Sequence, residues 1–250
     1  MSKHGNIISL SNHKGGVGKT TSAVNIAAGL SQAGDQVLLI DTDAQANLSQ
    51  SLGVTEAERT IYGALRGDHR LEPVEIKPGL DLIPATLDLS AADIELANRP
   101  EREFILSRLI EDMPRRYKWV LIDTPPAVGL LTLNALTAAQ QVFIPLQAQY
   151  LALRGLTKLN EIIERVRSGL NPELASSRVI ITQFDRRKVL HRNVEATIRQ
   201  HYADRVFKTV IRDNVALAEA PAQGCDIFTY QPKSRGAADY GALCSEIRNQ

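Results

Sequence analysis

Eleven residues, Ser11-Asn12-His13-Lys14-Gly15-Gly16-Val17-Gly18-Lys19-Thr20-Thr21, constrain this chain more than any others. They follow the apolar run Ile7 to Leu10 and open a helical pattern, so the order is strand, glycine-rich loop, helix. Backbone N–H groups of such a loop converge on an anion, and the helix adds the positive end of its dipole. Lys19 is placed to charge-neutralise β- and γ-phosphates, and the Thr20 hydroxyl to ligate magnesium. The general phosphate-loop pattern asks for glycine at position 13, where this chain has His13. What is met is a variant, K-G-G-x-G-K-T-T, headed by an extra lysine, Lys14.

The rest of the chain repeats one theme. Val37 to Ile40, Trp119 to Ile122, Val142 to Pro145 and Val179 to Thr182 are short, almost wholly apolar runs, as expected of strands buried on both faces of a parallel sheet. Leu80 to Ile83 and Phe207 to Ile211 also read as strands. Between them, helical spacing appears at Ala23, Ile26, Ala27 and Leu30, closed by Gly34, at Phe104 to Met113, stopped by Pro114, and at Leu156, Leu159, Ile163 and Val166. A last helix is expected from Arg235 to Ile247, while Gly53 to Pro78 yields only a short helical pattern near Ile61. About seven strands alternating with helices predict an α/β fold, a doubly wound, mostly parallel sheet with helices on both faces. With 250 residues, 44% of them hydrophobic and 23% charged, one α/β domain over 1–250 is the default.

Two strands end in acids. Asp41-Thr42-Asp43 and Asp123-Thr124-Pro125-Pro126 fall at carboxyl ends of strands, beside the ligand crevice of such a sheet. These carboxylates are turn residues or helix caps on one reading, and on the other they hold magnesium-bound water or orient an attacking water. The prolines stiffen a loop that is either a plain turn or a sensor of the γ-phosphate. Arg186-Arg187-Lys188, with His191 and Arg192 after them, form a basic run that Arg199, Arg205, Lys208 and Arg212 could extend into a phosphate-binding surface. Net charge is only +1, so any nucleic-acid binding has to come from such a local patch. Cys225 and Cys244 are too few and too far apart for a zinc or disulfide framework, and read as free thiols. No signal-like N-terminus and no run of about 18 apolar residues is present, which leads us to expect a soluble, intracellular protein.

Taken together, these stretches resemble the ParA/MinD family of deviant Walker ATPases, P-loop NTPases, in its ParA (Soj-like) branch. The resemblance rests on Lys14 to Thr21, Asp41-Thr42-Asp43 with Gln45 and Asn47, Leu82 to Thr86, Asp123 to Pro126, Tyr150 to Leu156, Val206 to Ile211, Glu219 to Pro221 and Lys233 to Ala237. Because the chain starts at the first strand, it is similar to the short members that lack an N-terminal helix-turn-helix domain. The resemblance implies a slow ATPase whose cofactors are ATP and Mg²⁺, with the nucleotide held by Lys14, Gly15, Gly16, Val17, Gly18, Lys19, Thr20 and Thr21. It implies catalytic roles for Lys14, Lys19 and Asp43, with Lys14 reaching the nucleotide of a second subunit and Asp43 orienting water. Thr20 would bind the metal directly, and Asp41 and Asp123 through water, with Asp123, Thr124, Pro125 and Pro126 forming the switch loop. The partners implied are a second copy of the chain, non-specific DNA, and a ParB-like or other cargo adaptor that stimulates hydrolysis, in a cytoplasmic, nucleoid-associated cycle that segregates or positions a cargo.

The chain departs from the family pattern at Ala44 and Ala46, where Pro and Gly are usual, and at Asp213 and Ala216, where DNA-binding arginines are usual. The DNA surface is therefore expected at Arg186, Arg187, Lys188 and Arg192, with Arg212 partly compensating. The alternative is a MinD-like membrane-cycling ATPase, but the tail Cys244 to Gln250 lacks the basic amphipathic helix with exposed Leu or Phe that this requires. The nitrogenase iron protein has a similar loop but bridges an iron–sulfur cluster with mid-chain cysteines, which Cys225 and Cys244 do not match.

Overall fold

The computed structural model describes residues 5–114, 116–149, 152–175 and 177–249. Of the residues carrying the resemblance, Tyr150 and Leu151 lie outside these. All eight strands join one sheet: β1 (Asn6–Leu10), β2 (Val37–Asp41), β3 (Val74–Lys77), β4 (Leu80–Ile83), β5 (Trp119–Asp123), β6 (Gln141–Gln147), β7 (Arg178–Phe184) and β8 (Val206–Arg212). Their order is β3-β4-β2-β5-β1-β6-β7-β8, every pair parallel except β3 with β4. The seven expected strands are all present. The eighth, β3, comes from the stretch that carried no clear pattern, and its burial shows why: Val74 and Glu75 are exposed on an edge strand.

The helices, in chain order, are α1 (Lys19–Gln32), α2 (Asn47–Ser51), α3 (Ile61–Arg66), α4 (Ala92–Glu95), α5 (Ile105–Glu111), α6 (Leu130–Ala138), α7 (Ala152–Gly169) and α8 (Val189–Tyr202) between strands, and α9 (Ala216–Glu219), α10 (Ile227–Tyr230) and α11 (Arg235–Arg248) after β8. The period of two along each strand splits the core into two layers. Leu38, Ile40, Val120 and Ile122 point to one face, where they meet Leu106, Leu136, Leu156 and Ile163. Val37, Leu39, Trp119 and Leu121 point to the other, against Ile26, Leu30, Tyr240 and Leu243. α11 thus spends its apolar side on the sheet, with Leu243 and Ile247 buried. Among the described residues no helix is long and apolar enough to cross a membrane.

Parallel pairing sets the site. Leu10 is in register with Asp123, and Asp41 with Asp123, so the carboxyl ends of β1, β2 and β5 lie side by side. From β1 the chain crosses to β2 on one side, and from β5 it crosses past β1 to β6 on the other, so the direction of winding reverses beside β1, and the crevice opens at such a point. α1 runs from this crevice to Gly34, whose φ of 88° is the left-handed turn expected after a helix.

At the opposite end of the sheet, Asp35 ties three elements together. It is 8% exposed and accepts from Lys118 Nζ at 2.8 Å, Trp119 Nε1 at 3.0 Å and Arg248 Nε at 3.0 Å. Burial pushes its carboxyl up, but the bonds from Lys118 and Trp119 and the nearby cations outweigh this, and it stays below the ordinary value. A depressed carboxyl contributes stability above its unfolded pKa, and that contribution is lost as pH falls through the folded value. Asp35→Asn is therefore expected to lower stability at pH 7 by about 2 kcal/mol, the worth of charge-assisted bonds at a buried site. The gap to wild type should begin to narrow below about pH 3.9 and shrink further as pH falls toward the lower folded value, so urea denaturation should show a smaller difference at pH 3 than at pH 7.

Candidate nucleotide site

Between β1 and α1 the chain folds into a loop pinned from several sides. Ser11 N–H bonds Phe143 O at 3.0 Å, Asn12 Nδ2 bonds Pro145 O at 2.7 Å, and Asn12 Oδ1 takes the Lys14 N–H at 3.0 Å. Gly16 and Gly18 have φ of 72° and 89°, left-handed values that a side chain resists, and this explains the glycines at both positions. No atom lies within 4 Å of where a Gly16 Cβ would be, so it is the backbone conformation, and not crowding, that calls for glycine there. From the β7 side, Thr182 Oγ1 donates to Val17 O at 2.8 Å and Gln183 Nε2 to Gly16 O at 2.9 Å.

A cavity of about 610 Å³ lies against this loop, lined by Gly15, Gly16, Gly18, Lys19, Thr20 and Thr21 and, across from them, by Asp43, Pro126, Pro221 and Ala222. Lys19 is 7% exposed, and burial lowers its pKa against the opposing charges of Asp123 and Asp43. Thr20 Oγ1 donates to Asp123 Oδ2 at 2.6 Å. The second oxygen, Asp123 Oδ1, is buried without a hydrogen-bond partner among the described residues. Burial and the neighbouring Asp41 charge both push the Asp123 carboxyl up.

The two acids after β2 part company. Asp41, the last residue of β2, is fully buried, with Oδ1 taking the Asp43 N–H and Oδ2 both the N–H and the hydroxyl of Ser49. Burial lifts its pKa to about 6 in spite of these bonds. Asp43 is half-buried on the cavity wall, with one oxygen accepting the Gln45 N–H at 3.0 Å. Ala46, where a glycine is usual in the family pattern, adopts φ 51°, so the turn survives with a residue that fits it less well.

Other expected residues are placed differently. Val17 is 1% exposed and offers only its backbone to the loop. Lys14 lies outside the 610 Å³ cavity, on the rim of a neighbouring one of about 1000 Å³ with His13, Arg154 and Lys158, and its Nζ bonds Gln149 Oε1. Thr124 is buried, its hydroxyl on Leu10 O at 2.9 Å, and of the two prolines Pro126 reaches the cavity. Gln50, Ser51 and Gln183 also line it, yet no motif marked them. Pro221 and Ala222 come from beyond α9, and only the Glu219-Ala220-Pro221 resemblance hinted at them.

The basic run divides as well. Arg186 and Lys188 are exposed and in no salt bridge among the described residues. Arg187 is paired with Asp185, Nη2 to Oδ2 at 3.0 Å, and Arg192 caps the loop through Arg186 O at 2.7 Å. Arg199 is drawn inward to Glu195 and to the carbonyls of Phe207 and Lys208. Arg212, expected to extend this surface, closes its guanidinium on Asp239 of α11, Nη2 to Oδ1 at 2.6 Å and Nε to Oδ2 at 2.9 Å. Asp239 is 8% exposed, and the pair ties the end of β8 to α11.

The geometry has counterparts in known proteins. A family model described as an AAA domain matches residues 5–176. The chromosome partitioning protein ParA of Caulobacter vibrioides is 42% identical over 248 residues, covering 96% of this chain and 93% of that protein. The chain belongs to the ParA/Soj family of chromosome-partitioning ATPases. The chromosome-partitioning ATPase Soj of Thermus thermophilus is 45% identical over 240 residues, covering 96% of this chain and 94% of its own. Among solved structures, cobyrinic acid a,c-diamide synthase of Mycobacterium smegmatis with bound ADP and magnesium superposes with a TM-score of 0.85 at 31% identity, over 98% of this chain and 94% of that one. ParA/Soj members therefore match the whole length over which the loop, the acids and the cavity are distributed.

Proposed function

We propose that this chain is an ATP-driven switch that dimerises on ATP, binds DNA without sequence preference, and hydrolyses ATP to segregate or position a cargo. The observation that carries it is the meeting of a glycine loop, the buried Lys19 and the Thr20–Asp123 pair at one cavity. Relatives with the printed roles of partitioning ATPases, and a neighbour with bound ADP and magnesium, support the same reading.

Each residue then has a task set by its surroundings. Loop N–H groups and Lys19 bind the phosphates, in a site dry enough to strengthen every such contact. The residues present fit a magnesium ion: Thr20 offers a hydroxyl oxygen, and Asp123 Oδ1 is an unpartnered carboxylate oxygen beside it. Such a site needs only one or two protein ligands besides phosphates and water. Bound magnesium supplies charge neutralisation at the β- and γ-phosphates. Asp41, with both oxygens engaged, supports Asp43 and adds negative charge behind Asp123. Asp43, on the cavity wall, orients the attacking water, and Asp123 to Pro126 respond to the γ-phosphate.

Lys14, directed away from the chain's own cavity, is free to leave Gln149 for the nucleotide of a second copy. That makes ATP a dimerisation signal, since the second cation counts only once two copies close. In the ATP state the DNA contacts come from Arg186 and Lys188, with Arg187 and Arg192 shaping the loop between them, and the protein is nucleoid-associated. A ParB-like or other adaptor then stimulates hydrolysis and release.

Retention on DNA-coated beads with ATP, ADP or no nucleotide tests this. Binding should need ATP and fall steeply with salt. Charge reversal of both Arg186 and Lys188 to Glu should weaken it at least about tenfold and reduce the salt slope by about two per subunit, or about four for the dimer. Retention that ignores nucleotide, or survives the double reversal unchanged, would remove DNA from the cycle.

A further inference from the structure

Three side chains at the ends of β6 and β7 grip two consecutive carbonyls of the phosphate loop. Gln183 Nε2 donates to Gly16 O at 2.9 Å, and Gln147 Nε2 donates to the same oxygen at 3.2 Å. Gln147 also donates to Gln183 Oε1, which locks the two amides together. Thr182 Oγ1 donates to the next carbonyl, Val17 O, at 2.8 Å. The parallel register places Gln147 beside Thr182, so the three groups act from one place.

A trans peptide is planar, with its N–H directed opposite to its C=O. Holding Gly16 O on the two glutamines therefore turns the Val17 N–H the other way, and holding Val17 O on Thr182 does the same for the Gly18 N–H. Two successive amides are fixed in direction, the arrangement from which an anion-binding nest is made. Without these bonds, Gly16 and Gly18, with no side chains to limit them, could rotate the peptides between them.

The backbone of Gln183 adds an independent sign. Its φ is 50°, a conformation that non-glycine residues rarely adopt and that costs free energy to maintain. Strain of this kind concentrates where surrounding structure has a use for it. Glycine would sit there more easily, and what glutamine has instead is the amide that reaches Gly16 O.

We infer that Gln147, Thr182 and Gln183 are positioning residues that aim the Val17 and Gly18 amides at the nucleotide's phosphates. This rests on the nucleotide reading above, and it adds a set of residues that act through the loop's backbone. It also accounts for Gln183 lining the cavity without belonging to the loop motif.

The test uses the full chain, first without nucleotide and then with ATP or ADP. In Gln183→Gly and in Thr182→Val, ¹⁵N order parameters of Val17 and Gly18 should fall from about 0.85 toward about 0.6. Dissociation constants for both nucleotides should rise about tenfold, because misdirected donors lose most of their worth. Thr182→Ser, which keeps the hydroxyl, should stay near wild type. Gln183→Gly should melt within a few degrees of the wild-type temperature, since relief of the left-handed strain offsets the lost amide bonds, so a much larger loss of binding in it is not a folding defect. Wild-type order parameters and wild-type affinities in both Gln183→Gly and Thr182→Val would overturn the inference, as would an equal loss in Thr182→Ser. Loosened amides in a chain whose wild type binds neither nucleotide would uphold the positioning role and sink the nucleotide reading instead.

Discussion

Lys19→Ala is expected to lose ATP affinity by at least about a hundredfold and to show no measurable turnover, the scale on which one preorganised charge acts in a dry site. The reason is local charge balance. Among the described residues lining the 610 Å³ cavity, Lys19 is the one cation, and Asp43 lies on the same wall. Asp123 and Asp41 stand close behind: besides burial, the Asp41 charge raises the pKa of Asp123, and the Asp43 charge raises that of Asp41. Without Lys19 the site presents mainly negative charge to a polyphosphate. The fold should survive, because Asp123 is already pushed toward its neutral form by burial and can take a proton when its cation is gone. Calorimetric titration with ATP, phosphate release and a melting curve together check this. Near-normal affinity with intact folding would mean that the phosphates lie elsewhere.

Asp43→Ala is expected to separate binding from chemistry. The carboxylate lines the cavity but makes no bond to the phosphate loop, so its loss leaves the anion-binding groups in place. It also removes a charge that opposes a polyphosphate. Affinity for ATP should therefore stay within about threefold of wild type, while turnover falls by about 10²- to 10⁴-fold, the range for a group that positions or activates water. Asp43→Asn is the geometric control, because its carbonyl oxygen can still accept the Gln45 N–H that Asp43 now takes at 3.0 Å. Both substitutions should behave alike if the charge is what matters. Unchanged turnover in either would exclude Asp43 from the reaction.

Much of the architecture was legible because buried parallel strands write themselves as unbroken apolar runs, and the phosphate loop carries its mechanics in its glycines and lysines. The resemblance across the whole chain then supplied roles that spacing alone left open. Elements with mixed or uniform patterns were harder to read. β3 has exposed side chains on a sheet edge, and α6 is buried almost all round, so Leu130 to Ala138 shows no polar stripe by which to recognise a helix. Pairings distant in sequence were not legible either. Arg212 looked like a free cation until α11 brought Asp239 against it from 27 residues away. The grip of Gln147, Thr182 and Gln183 on the loop has the same origin, since it depends on two strands reaching the loop more than a hundred residues after it. Asp41 and Asp43 were indistinguishable by spacing, and only the turn at Ala46 and the Ser49 bonds separate the buried acid from the one that faces the cavity.

The central claim is that ATP closes two copies of this chain into one particle. Sedimentation equilibrium of Asp43→Ala, in which bound ATP should persist, measures it directly. With ATP and magnesium the mass should be twice that of the 27.4 kDa chain, and with ADP it should be that of one chain. The same single-chain mass with both nucleotides, at saturating ATP, would contradict the account.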